Sequence, residues 1–455
     1  MLFSQLEEIA QSYPQLRGLF VKVNLAITLK AIVLAALKMS LAIAVIIVNE
    51  ILTQRGQSKG EPKECPKCNK LLESKGLLDR TVMTIIGIIS WKRRILRCPN
   101  KCKIGQIAPL DIELGLQSNQ RVSEDLMQRA CVLAIFVPFG IAVSLLETLT
   151  GVKVSPGAIW NWVQSKGKES MERLESELKS LQEGHSPEAE EIEAEVALLP
   201  LLIGGDGVMV PFRPNEGTPA GKTVWHEVKV GIVTRLGQRM TKKGKEVTMF
   251  VHRHLVAVLG TIEEFKSRIW LESLKEGIVD ARVVVWLSDG GPCYWKLFKE
   301  MFSKYAQGIL DFYHAAENIW KGARAWLDGR TKKAYKWFYS ARHRLRLGKG
   351  KEIMDEIKEG LTSKDIPDDR RKTLENLLVY LEAHRDHINY STYKALGLPI
   401  GSGMVESACK WLIQQRFKCV GMRWSKNGFN HLLHLRLAWV NGNYDDLFES
   451  NFSHG

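Results

Sequence analysis

The chain has 455 residues, 45% of them hydrophobic, enough for two to four domains with real cores. Its net charge of +14 argues against a basic partner and for a polyanion, nucleic acid ahead of an anionic membrane. Eight cysteines, two close pairs and four scattered singles with no visible signal peptide, suit a reducing cytosol rather than a disulfide-stapled secreted fold.

Residues 1–55 read as a helical region rich in Leu, Ile and Ala. The stretch 23–48 is apolar, but Lys30 and Lys38 interrupt it. Its longest uncharged run, 39–49, is too short to cross a bilayer. It is expected to form a buried or self-associating helix, with a membrane anchor as the lesser alternative. "TQRGQSKGEPKE" follows as a polar linker.

Residues 56–118 carry Cys65, Cys68, Cys98 and Cys102 as C-x2-C, 29 residues, C-x3-C. Two tight knuckles of two thiolates suit tetrahedral Zn²⁺. The intervening "RTVMTIIGIISWKRRILR" is a strand–turn–strand pattern, as a zinc ribbon requires. Such a site is closed and structural; the alternative is a pair of redox-active dithiols. Arg93, Arg94, Arg97, Lys101 and Lys103 cluster around it and suggest DNA contact.

Residues 119–184 read as helical. "IAVSLLETLTGVKVSPGAIWNWVQSKG" fits a helix-turn-helix, with Gly151 at the turn, Ser155 as cap and Pro156 at the first helical position. A plain helical hairpin packed on Trp160 and Trp162 fits equally well. A long charged helix ends the region, and residues 185–196 form an acidic linker. Between 169 and 195 ten acids face two bases, a net −8 that leaves +22 on the rest of the chain.

After residue 196 the character changes. "ALLPLLIGGDGVMVPF", "TVWHEVKVGIVT" and "EVTMFVHRHLVAV" are strand-like runs. "GTIEEFKSRIWLESLKEG" is an amphipathic helix, "ARVVVWLSDGG" a buried strand, and "GILDFYHAAENIW" a short strand entering a helix. The layout is α/β with a mixed sheet, formed by 197–330 and 396–441. A basic helical insertion, 331–395, interrupts it, and 442–455 is a tail.

Three acids stand out. Asp206 and Asp289 sit at the ends of apolar strands, where an unpaired carboxylate is costly unless it binds a cation. Glu406 lies on a late helix after the Gly401-Ser402-Gly403 turn, with Ser402 as its expected cap. Gly204, Gly205, Gly207, Gly290 and Gly291 would leave room for a bulky ligand. Hard oxygen donors of this kind suit Mg²⁺ (or Mn²⁺), and a pair of such ions can activate water and stabilise a leaving phosphodiester oxygen.

In this order the motifs "GDG" (205–207), "WHEVKVG" (225–231), "SDGG" (288–291), "ILDFYHAAENIW" (309–320), "GSGMVESACK" (401–410), "RFKCVGMRW" (416–424) and "LRLAWVNGNYDDLF" (435–448) resemble the DDE transposases. The resemblance is strongest to the ISKra family of bacterial insertion sequences and covers most of the chain. It implies an RNase H-like core in which Asp206, Asp289 and Glu406 are the catalytic, metal-binding triad. Asp311 and His314 of "DFYH" would sit beside the active site and help position DNA or the scissile phosphate; for His314 a capping or core role is the alternative. Lys410, Arg416, Lys418 and Arg423 would meet DNA. Trp424 would hold the Glu406 helix or stack on a base, with core packing as the plainer reading.

The implied activity is cleavage at the element's ends and joining of the freed 3′-OH to target DNA. The expected partners are double-stranded terminal repeats and target DNA, with a homodimer or larger assembly in the bacterial cytoplasm at the nucleoid. Structural Zn²⁺ and catalytic Mg²⁺ or Mn²⁺ are the expected cofactors. A metal-dependent nuclease or resolvase with the same core, and a non-catalytic zinc-ribbon DNA-binding protein, are the competing readings.

Overall fold

The computed structural model describes residues 2–58, 63–214, 222–242, 244, 246–362 and 366–449, apart from the side chains of 2, 3 and 369. Residues 59–62 of the expected linker and 450–455 of the expected tail lie outside the described residues. The chain divides into two compact units, residues 1–163 with the stretch from 445, and residues 164–444. The division falls inside the Pro156–Gln182 helix rather than at the acidic connector.

In the first unit, helices Leu2–Ser12 and Pro14–Asn24 pack with the Leu29–Gln57 helix around Ala10, Leu16, Phe20 and Met39. A second core forms under the cysteine region. There β1 (Glu73–Thr84) and β2 (Gly87–Arg97) make an antiparallel hairpin whose Val82, Ile89 and Trp91 pack with Leu110 and with Val45, Val48 and Leu52 of the long helix. The expected burial of that helix needs correction. Only Met39 and Gly56 are fully buried along it, while Leu29, Val33, Leu37 and Ile47 are exposed. It runs unbroken through Lys30 and Lys38, and is long and apolar enough to cross a membrane by length and composition. An uncharged-run count missed this because two lysines do not break a helix.

Further along the unit, helices Glu124–Phe136 and Phe139–Thr150 are followed by a turn at Gly151, whose φ of 75° is the left-handed conformation glycine takes without strain. The Ser155 hydroxyl then accepts from Ala158 N at 3.1 Å and opens the long helix. Trp160 packs edge-on against Phe139, their rings 5.3 Å apart. Both halves of the helix-turn-helix pattern are therefore helices, joined as their capping residues dictate.

The second unit is built on a five-stranded mixed sheet. Its strands are β3 (Leu201–Phe212), β4 (Val224–Met240), β5 (Glu246–Val258), β6 (Val284–Ser288) and β7 (Gln307–Leu310), in the order β5-β4-β3-β6-β7. The first three are antiparallel neighbours, and β6 and β7 run parallel to β3. Continuous apolar runs suit β3 and β6 because both lie inside the sheet. The Ile262–Lys275 helix, opened by a Thr261–Glu264 capping box, links β5 to β6. The expected insertion folds as helices Lys332–Arg346, Gly350–Leu361, Asp368–Ala383 and Tyr390–Ala395.

Candidate active site

Register places the first two acids. β3 and β6 pair in parallel up to Gly205↔Ser288, so the next residues on the two strands are Asp206 and Asp289. Neighbouring strands lie about 4.8 Å apart. The two aspartates therefore stand side by side at the carboxyl end of β6, where open α/β sheets bind ligands.

Each is oriented by backbone donors. Gly207 N donates to Asp206 Oδ1 at 2.7 Å, and Gly291 N to Asp289 Oδ1 at 3.0 Å. Trp295 Nε1 holds the Asp289 carbonyl at 2.5 Å.

Glu406 reaches them from a helix laid on the same sheet face. Residues Gly403–Ala408 form an α-turn that passes at once into a π-helix, Cys409–Gln414, and then Gln415–Phe417. Val405 packs over Gly204, where a Cβ would come within 2.8 Å of it. One turn on, at the start of the π-helix, Cys409 Sγ lies 3.9 Å from Asp206 Oδ2. The wide turn leaves carbonyls that the buried Arg436 guanidinium satisfies, donating to Leu412 O at 2.9 Å and Trp411 O at 2.7 Å. Single π-turns of this kind recur at functional sites.

The electrostatics show the acids facing one another. Burial pushes the Asp206 carboxyl above its ordinary pKa, and the charges of Asp289 and Glu406 push the same way, against the Gly207 N–H and His314. His314 Nε2 lies 3.7 Å from Glu406 Oε1, and Lys410 Nζ 3.7 Å from Glu406 Oε2. The cluster is looser than a closed metal site. Among the described residues, three or more ligand atoms come within 4.8 Å of one another at Cys65, Cys68, Cys98 and Cys102, and at a Glu190–His252–His254 group, but not at these three acids.

Asp311 needs correction. It is 1% exposed, and both its oxygens are committed to the protein's own backbone. Oδ1 accepts from His314 N at 2.7 Å, capping the Phe312–Leu327 helix, and Oδ2 accepts from Ser402 N. With Phe312 N donating to Ile400 O at 2.8 Å, it latches the loop before Glu406 to the helix carrying His314. It positions the loop before Glu406, and its burial keeps the carboxylate from meeting DNA directly. Asp311→Asn should cost about 2 kcal/mol, because one backbone N–H then faces an amide NH₂. It should also slow turnover without raising KM. Denaturant melts and steady-state kinetics check both.

The glycines also act differently from the expectation. Gly205 makes room for Tyr294, Gly207 for Glu227 and Gly290 for Tyr380, so the space is filled by protein. Gly401 admits Tyr313 at 2.7 Å from where a Cβ would be, and the Ser402 side chain makes no cap bond.

The expected DNA-contacting bases divide sharply. Arg416 is 1% exposed, packed over Trp424 at 5.3 Å, and burial lowers its pKa to about 10. Trp424 is itself buried and donates to Phe417 O at 3.0 Å. In the ribbon, Arg93 pairs with buried Asp111 at 2.8 Å and donates to Leu78 O and Asp79 O. Arg94 donates to Gln57 O, Ser58 O and Ser74 Oγ. Arg416 is thereby removed from solvent, whereas Arg93 and Arg94 stay partly exposed while bonding the ribbon's own backbone.

Lys410, Lys418 and Arg423 are exposed, and Lys418 Nζ lies 5.5 Å from the ring of Trp225, itself half exposed. A basic cleft of about 740 Å³ lies where the Phe312–Leu327 helix and the turn after it meet the basic insertion. Trp320, Tyr335, Lys321, Arg324, Arg330 and Arg370 line it, drawn from separate helices and the turn between them.

The four cysteines meet as expected. Cys65 and Cys98 are buried, Cys68 and Cys102 half-buried, and Cys68 Sγ lies 3.5 Å from Cys98 Sγ. Each knuckle closes through a left-handed residue, Asn69 at φ 55° and Lys101 at φ 52°. The donor set, soft and tetrahedral in number, fits Zn²⁺.

No family model matches the chain. It is 26% identical over 388 residues to the "UPF0236 protein in vanSb 3'region" of Streptococcus gallolyticus, covering 82% of this chain and 75% of that protein. Among solved structures it aligns with the Drosophila P element transposase strand transfer complex, at 14% identity over 76% of this chain and 84% of that one. The TM-score of that alignment is 0.26, below what a shared fold requires.

Proposed function

We propose that the chain is a DNA transposase of the DDE type, of the ISKra kind, with an RNase H-like core. The observation that carries this reading is the strand register that sets Asp206 beside Asp289, with Glu406 brought over the same sheet face. The order β5-β4-β3-β6-β7, three antiparallel strands followed by two parallel ones, supports the core assignment. The sequence relative and the basic cleft are consistent with it.

Asp206, Asp289 and Glu406 would hold Mg²⁺ or Mn²⁺; their hard, mutually repelling carboxylates fit such ions. When bound, these ions activate the attacking water or 3′-OH and stabilise the leaving oxygen. The chain's own part is to position. Gly207 N and Gly291 N orient the aspartates, Asp311 fixes the Glu406 loop, and His314 stands beside Glu406 to steer a phosphate. Lys410, Lys418, Arg423 and the basic cleft beside the insertion would neutralise the backbone of the double-stranded terminal repeats and target DNA. Zn²⁺ on the four cysteines is structural. Two ends must be joined, so a homodimer or larger assembly at the bacterial nucleoid is expected.

Labelled element ends incubated with a target plasmid, in Mg²⁺ or in EDTA, test the reading. Mg²⁺-dependent joined products are expected. Nicks without joining would favour a nuclease or resolvase, and binding without any cut a DNA-binding protein. Among the bases, Lys418→Ala should reduce the salt dependence of DNA binding by about one phosphate contact. Arg416→Met should leave that slope unchanged, as a buried side chain must. Fluorescence titrations at several salt concentrations read both slopes.

A further inference from the structure

A second cluster of metal-ligating side chains lies outside the carboxylate site, where β5, the end of the Ile262–Lys275 helix and the acidic connector meet. Glu190, His252 and His254 bring one ligand atom each within 4.8 Å of one another. His254 Nδ1 is 3.9 Å from Glu190 Oε1, close to the spacing of about 3.4 Å that two donors on one tetrahedral Zn²⁺ keep. Nothing in the carboxylate site's chemistry uses these residues.

Three observations separate the cluster from an ordinary surface ion-pair network. The first is backbone. The β4–β5 register skips at His252, with Thr234 opposite Arg253 and Arg235 opposite Val251. His252 is the extra residue of a bulge and takes φ 47°, a conformation that costs a non-glycine residue of order 1 kcal/mol. Bulges re-aim a side chain, and this one turns His252 beside His254, their rings stacked at 5.3 Å.

The second observation is the carboxylate beneath the two rings. Glu276 is completely buried, and its Oε1 lies 2.8 Å from His252 Nδ1 and 3.6 Å from His254 Nε2. Metal-bound histidines are oriented in this way, one nitrogen on a carboxylate and the other on the ion. Its Oε2 faces the buried Arg235 guanidinium, whose Nε lies 3.9 Å away, so the carboxylate is held in place beneath the rings. The third is access. A cleft of about 610 Å³ lined by Glu177, His185, Glu190 and Lys275 opens at the Glu190 side.

We infer that Glu190, His252 and His254 form a second transition-metal site, selective for Zn²⁺ or a similar divalent ion, with Glu276 orienting both imidazoles. Glu190 supplies one carboxylate oxygen, His254 its Nδ1, which without the ion bonds Glu272 Oε2 at 3.3 Å and would exchange that partner for the metal, and His252 its Nε2. The ion staples the acidic connector, already held by Glu190 N donating to Lys275 O at 3.1 Å, onto the outer strand of the sheet.

The test is metal content of the full chain, dialysed against Zn²⁺ with excess Mg²⁺ to occupy the hard carboxylate site. Wild type should retain two Zn²⁺ per chain, Cys65→Ser/Cys68→Ser one, and His252→Gln/His254→Gln one. In the cysteine variant, Co²⁺ should then give visible bands without thiolate charge transfer. Glu190→Gln, on a half-exposed connector residue, guards against misfolding: with an unchanged circular dichroism spectrum it should bind its second Zn²⁺ at least tenfold more weakly. A single Zn²⁺ on wild type, two on the double histidine variant, or unchanged affinity in Glu190→Gln would overturn the inference.

Discussion

Asp206→Asn, Asp289→Asn and Glu406→Gln should each lower single-turnover cleavage of element ends by at least about 1000-fold, near 4 kcal/mol of barrier, while DNA affinity is kept. The amides match the carboxylates in size and lose only the charge. The fold should not suffer. Burial and two like charges hold the Asp206 pKa above its ordinary value, so at neutral pH the ionised group opposes folding, and the amide removes that cost. Asp206→Asn should therefore melt at or above the wild-type temperature while being catalytically dead. A variant that unfolds would give the opposite pairing. Because the three acids act as one unit, double variants should lose little beyond the single ones.

The second large effect belongs to the ribbon. Replacing Cys65 and Cys68 together by serine should release Zn²⁺ and unfold residues 73–97. A two-stranded hairpin is marginal on its own, and the core under this one is small, with Val82, Ile89, Trp91 and Leu110 as its buried members. Structural Zn²⁺ in such modules contributes of order 10 kcal/mol, more than that core can replace. Hydrogen exchange should show protection lost across β1 and β2 and retained across β3 and β6. Arg93 and Arg94 would lose their backbone carbonyl partners at the same time.

What the sequence revealed and what it hid follow from the range of the interactions. β3 and β6 were legible because a central strand needs an apolar run; Asp289 ends the second run as expected, whereas β3 continues past Asp206 to Phe212. The cysteine knuckles were legible because metal geometry imposes a spacing on the chain. The fate of a charged side chain was not. Arg93, Arg94 and Arg416 look like Lys418 in sequence, yet the partners that engage them, Asp111, the Gln57 and Ser58 carbonyls and the Trp424 ring, come from other elements, and only Arg416 is buried by its own. Asp311 likewise spends its oxygens on residues 314 and 402, the second of them 91 positions away. The π-turn at Cys409–Gln414 has no local signature either; Arg436, far along the chain, satisfies its carbonyls. The His252 bulge is a defect of strand pairing and exists only once β4 and β5 are in register.

The most direct test of the central claim is Mn²⁺ binding to the zinc-loaded protein, followed by electron paramagnetic resonance. If Asp206, Asp289 and Glu406 share one cation site, wild type should bind Mn²⁺ and each single amide variant should lose most of that binding. Any one of the three binding Mn²⁺ as tightly as wild type would remove that residue from the site and contradict the account.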